Sequence, residues 1–182
     1  MLYVILGIIV IIVVWFIAAY NGFITLINRA KEAWADIDVQ LKRRYDLIPN
    51  LVNTVKGYAA HESQAFENVT KARAAAMGAG GDLADKAKAE GELSGALSHL
   101  FAVAEAYPEL KANQNFLSLQ NELSDTENKI AYARQFYNSV VLDYNTKLKV
   151  FPNVIFAKLL NFQDAEFFGA TDEERKTVKV SF

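Results

Sequence analysis

The sequence predicts an all-α protein: an N-terminal transmembrane helix followed by an antiparallel bundle of long helices. Three observations lead there. Residues 2–19 are almost wholly aliphatic, residues 32–62 carry large apolar side chains at spacings of three and four, and residues 116–151 repeat theirs every seven. Spacings of three, four and seven place side chains on one face of a helix.

The first element is the membrane anchor, residues 1–27. No charged side chain occurs before Arg29. At about 1.5 Å per residue, residues 2–19 extend roughly 27 Å, close to the hydrocarbon thickness of a bilayer. Leu2, Ile5, Ile9 and Ile12 would face lipid, and Trp15, Phe16 and Tyr20 would form an aromatic belt at the C-terminal end. A cleaved signal peptide is the competing reading, but the basic n-region is missing and Ala18-Ala19 is a weak cleavage site. Arg29, Lys31, Lys42, Arg43 and Arg44 follow the span. By the positive-inside rule they put the rest of the chain in the cytoplasm and the N-terminus outside.

The second element is a long helix over residues 28–77. Trp34, Ile37, Leu41, Tyr45, Ile48, Leu51, Val52, Val55 and Tyr58 share one face, while Asp36, Asp38, Lys42, Arg43 and Lys56 point elsewhere. Pro49 lies inside it and should kink the helix near residues 45–49, because proline removes a hydrogen bond and crowds the preceding turn. A hinge there is the alternative.

Residues 78–81, Gly-Ala-Gly-Gly, end this helix, and Asp82 is the expected N-cap of the next, over 83–106. Its apolar side is Leu93, Ala96, Leu97, Leu100, Phe101 and Val103. Pro108 breaks the chain and should open a third helix over 108–151. There Phe116, Leu123, Ile130, Tyr137, Tyr144 and Phe151 recur every seven residues, the seam of a bundle or coiled coil. Asn138 and Asn145 read as a polar layer that fixes register. A short amphipathic helix is expected over 154–161, and residues 177–182 (TVKVSF) alternate like a strand. Half of the twelve phenylalanines lie after position 150. Capping the bundle is their simplest role; docking on a membrane or a partner is the other.

These lengths do not match. At about 1.5 Å per residue the three bundle helices would measure roughly 75, 36 and 60 Å. The mismatch would leave uncovered an apolar stripe at Trp34, Ile37, Leu41 and Tyr45 and another at Tyr137 and Tyr144. Such stripes mark interfaces, so copies are expected to pack side by side as a homo-oligomer. A bend at Pro49 or Pro108 would instead fold the mismatch away.

Charge is nearly even, 19 basic residues against 21 acidic, so a general nucleic-acid binder is not indicated. Without cysteine there is no disulfide, thiol catalysis or thiolate metal site. His61-Glu62 begins like a zincin motif but lacks the second histidine, His99 lies beside an apolar run, and no Glu-x-x-His pair exists for a di-iron site. No catalytic, metal or cofactor residues emerge, and an enzyme is not expected.

Three blocks are recognisable: YNGFITLINRAKEAWADIDVQLKRRYDLIPNLVNTVKGYAAHE, then EAYPELKANQNFLSLQNELSDTENKIAYARQFYN, then YNTKLKVFPN. They resemble LemA family proteins over residues 20–182. The resemblance implies a bacterial inner-membrane protein with one transmembrane helix and a four-helix-type cytoplasmic domain. It implies no catalytic or binding residues, though relatives that work in magnetosome membranes hint at membrane organisation. Within the blocks, Trp34, Arg43, Arg44, Tyr45 and Pro49, with Tyr107, Pro108 and Asn113, are expected to carry structure. The functional expectation is a self-associating membrane scaffold; the alternative is a regulatory module that docks a membrane protease or signalling protein.

Overall fold

The computed structural model describes residues 1–169, all of whose regular structure is helical. Helix α1 spans Leu2–Lys56, α2 Ser63–Gly78, α3 Leu83–Glu105, α4 Pro108–Lys111, α5 Gln114–Lys149 and α6 Asn153–Leu159. The strand expected over 177–182 lies outside the described residues, as does Phe182.

The helix expected to run to Met77 is interrupted. Residues 57–62 turn between α1 and α2, and the ends of the turn are held from a distance. Asn113 Nδ2 donates to the Tyr58 hydroxyl at 2.9 Å, and the Tyr107 hydroxyl donates to Glu62 Oε1 at 3.0 Å. That second bond, to an acceptor carboxylate, raises the Tyr107 phenol above its ordinary range. Pro49, by contrast, lies within the continuous run of α1. The second junction also differs from expectation. Pro108 opens only the single turn of α4, and Asn113 starts a new helix by accepting from the Phe116 N–H at 3.0 Å. Asp82 caps α3 as expected, its carboxylate accepting from the Ala84 N–H. Gly81 before it has φ +119°, a conformation that only glycine adopts without strain.

The contacts fall into two compact units, both of which draw on α1 and α5. The first comprises Met1–Asp36 and Ala133–Phe167. Here α5 runs antiparallel to α1: Phe23 meets Tyr144 and, further along, Trp34 meets Tyr137. Phe23, Tyr144, Leu148, Phe156 and Ala157 form its core. Between residues 2 and 18 every side chain is exposed.

The second unit includes Ile37–Tyr132. Its core takes Ile37, Leu41, Ile48, Leu51 and Val55 from α1 and Phe66 and Val69 from α2. Leu93, Leu97 and Leu100 come from α3, and Phe116, Leu123 and Ile130 from α5. These apolar periods bury themselves within the one chain. Phe151 does not: α5 ends at Lys149, and the phenylalanine beyond it is 79% exposed.

Candidate functional site: an aromatic cleft and its strap

Three residues expected at an interface come together inside the first unit. Trp34 and Tyr137 meet edge to face with ring centroids 5.5 Å apart. With Tyr144, Ile27 and Ala165 they line a cleft of about 350 Å³ that has Lys31 and Gln163 as its polar groups. Gln163 and Ala165 belong to a strap without regular secondary structure, residues 163–166, stapled to α5. The Tyr144 hydroxyl donates to the Gln163 carbonyl at 3.0 Å, and the Tyr137 hydroxyl to the Glu166 carbonyl at 3.1 Å. Asn145, expected to fix helix register, instead holds the strap: its amide donates to the Ala165 carbonyl and accepts from the Ala165 N–H, both at 2.9 Å. Burial pushes the Tyr137 and Tyr144 phenols above their usual range, with Glu166 and Asp164 adding to the effect.

The cleft lies beside the aromatic end of the apolar span. Phe23 stacks on Phe162 at 5.0 Å and on Phe156 of α6 at 5.9 Å. Phe156 also receives Phe16 edge to face at 4.4 Å and Trp15 at 6.3 Å. Lys147 lays its ammonium 5.1 Å from the centre of the Phe23 ring. Gly22 makes that possible, because a Cβ there would occupy the place of Lys147 Nζ.

The remaining expected interface residues lie in the second unit. Ile37 and Leu41 are fully buried and Tyr45 is 9% exposed. Together with the burial of Tyr137 and Tyr144, this corrects the expectation of two uncovered stripes. The interruption at 57–62 lets α2 fold back, and α5 covers the stripes of α1, so a single chain satisfies them.

Around Tyr45 the second unit buries a charged cluster. Arg44, 1% exposed, donates to Glu127 Oε1 at 2.6 Å, to Ser94 Oγ at 3.1 Å and through its other terminal nitrogen to Glu90. The Tyr45 hydroxyl donates to the second oxygen of Glu90. One guanidinium thus bridges two carboxylates, and each oxygen of Glu90 accepts a hydrogen bond. Burial raises the Tyr45 phenol. The sequence signalled Arg44 and Tyr45 only through the family blocks; nothing in their spacing reveals the partners on α3 and α5. Among the described residues no group of three or more His, Cys, Asp or Glu side chains converges as metal ligands would, and His61 and His99 are both exposed.

The fold therefore defines a class: a helical protein in which α1, alone among the described helices, is long and apolar enough to cross a membrane. The LemA family pattern matches residues 33–182, and the chain belongs to the LemA family. Among its relatives, magnetosome protein MamQ of Magnetospirillum gryphiswaldense is 27% identical over 82% of this chain and 64% of its own length. MamQ 2 of Paramagnetospirillum magneticum is 28% identical over the same shares. Protein LemA of Metamycoplasma hominis is 26% identical over 85% of this chain and 70% of that protein. The chain spans a little under two thirds of the MamQ relatives' length.

Proposed function

We propose that this protein is a membrane-anchored helical scaffold that self-associates to organise or shape the bacterial inner membrane. Its N-terminus lies outside and its bundle in the cytoplasm. The observation that carries the reading is the continuity of α1. An exposed aliphatic segment of membrane-spanning length passes without a break into the helix that supplies buried residues to both compact units. Position in the bilayer and orientation of the folded part are then mechanically linked through one helix. Arg29 and Lys31 support the cytoplasmic side.

Lateral packing is supported by apolar side chains that α5 leaves in solvent, Phe136 at 55% and Leu142 at 56% exposure. The relatives named as magnetosome proteins support an organising role. The chain contains no cysteine, so a single cysteine inserted directly after Met1 or placed at Gln135 reports orientation without background. In intact cells an impermeant maleimide should label the N-terminal cysteine and spare position 135. The opposite pattern would overturn the orientation, and labelling of both would overturn the anchor.

A further inference from the structure

Five apolar side chains crowd the eleven residues around α6 and remain uncovered: Val150, Phe151, Ile155, Leu159 and Leu160, at 45, 79, 63, 73 and 41% exposure. One exposed leucine is ordinary, but a contiguous group marks a contact surface. Phe151, Ile155 and Leu159 succeed one another at intervals of four, and within α6 that interval keeps Ile155 and Leu159 on one face. Phe156 and Ala157, on its other side, are buried in the core of the first unit.

We propose that this face of α6, with the Val150-Phe151 corner, is a second membrane contact that lies in the same bilayer interface the span enters. The proposal rests on the reading of residues 2–19 as a span. What selects lipid as the occupant is continuity with that span. Phe156 packs directly on Phe16 and Trp15, which belong to the apolar segment itself. Those residues lie three to four positions before Ala19, about 5 Å inside the segment's end at 1.5 Å per residue. Amphipathic helices settle about 5–10 Å into the headgroup boundary, so the ring contacts hold α6 at the depth such helices choose for themselves.

The charges agree. Lys158 and Lys149 are exposed beside the apolar face, long enough to bury their stems and return their ammonium groups to the phosphates. Among the described residues, the acidic partner in contact is Asp164, 3.1 Å from Lys149. Anchoring at two points, span and α6, would resist rotation of the first unit about the axis of α1, which a single span permits.

The test uses the full chain with single cysteines at Ile9, Gln135, Ile155 and Leu159, spin-labelled and reconstituted into phosphatidylcholine–phosphatidylglycerol vesicles. Collision with oxygen, which concentrates in lipid, is compared with collision with a water-soluble nickel chelate. The oxygen-to-nickel ratio at 155 and 159 should exceed that at 135 several-fold and approach that at 9. Nickel access at 155 and 159 with position 9 lipid-exposed would overturn the second contact and leave the span standing. Nickel access at position 9 would overturn both. Spin–spin broadening at 155 and 159 that disappears on dilution with unlabelled protein would overturn the proposal in favour of a second copy on this face.

Discussion

Arg73 Nε donates a hydrogen bond of 2.8 Å to the main-chain carbonyl of Tyr45. That carbonyl is the one Pro49, four residues on, cannot serve, because proline has no N–H. An arginine from α2 therefore fills the gap that the proline opens in α1, and the helix continues through it.

The pair predicts a coupling. Replacing Arg73 with Ala should destabilise the protein by about 1–2 kcal/mol, the scale of a hydrogen bond from a charged donor to a part-buried carbonyl. In a Pro49→Ala background, the restored N–H competes for the carbonyl, and the same replacement should cost clearly less. Thermal unfolding of the four proteins in detergent measures the cycle; equal losses in both backgrounds would show that the bond is incidental.

The Arg44 cluster predicts an asymmetry. Arg44→Met strands Glu90, which is 7% exposed, and should cost about 3–5 kcal/mol, the range for removing one partner of a buried pair. Removing both charges, with Arg44→Met and Glu90→Met together, should recover much of that loss. The readout is again the unfolding midpoint. A double variant as unstable as the single one would mean that the packing around the pair, rather than its charge, is what matters.

Leu41 separates folding from assembly. At 1% exposure, Leu41→Ala should cost about 2–5 kcal/mol through the cavity it leaves, so a charged replacement there tests stability alone. Phe136→Glu is the assembly test: it should lower the oligomer mass by light scattering and leave the unfolding midpoint nearly unmoved. A lowered midpoint with unchanged mass would reverse that assignment.

The strap predicts an alkaline limit. Tyr137 and Tyr144 have phenol pKa values raised in the folded state, so the stability they contribute is complete below the ordinary phenol value of about 10. It is lost as pH rises through the folded values. Ionisation also removes the protons donated to Glu166 and Gln163. Tyr137→Phe with Tyr144→Phe should lower stability at pH 7 by about 1 kcal/mol for each hydrogen bond. It should also flatten the fall above pH 10, followed by circular dichroism. A fall as steep as in the native chain would place the alkaline transition elsewhere.

Most of the helices were legible because their signals are local and long. The lipid-length run at the N-terminus, the stripe through Ile37 and Leu41, and the seven-residue repeat through Tyr144 each survive many residues of averaging. The interruption at 57–62 was not legible, because what holds it is Asn113 and Tyr107, about fifty residues away, and locally only Gly57 hints at it. The strap was hidden for a related reason: its anchors, Tyr137, Tyr144 and Asn145, grip backbone carbonyls, which leave no mark on composition. A single rod running through to Met77 would leave the apolar stripes uncovered; the turn at 57–62 is what lets one chain cover them. Arg44 illustrates the remaining limit, since a charged residue on a helix usually signals solvent, and only the fold brings Glu90 and Glu127 to it.

The most direct test of the scaffold is the mass of the full chain in mild detergent, measured by multi-angle light scattering and inspected by electron microscopy. The account predicts a uniform particle whose protein mass is a multiple of the 20.3 kDa chain, with the copies arranged side by side. A monodisperse species holding one chain would contradict it, and would leave the protein as an anchored module acting through another membrane protein.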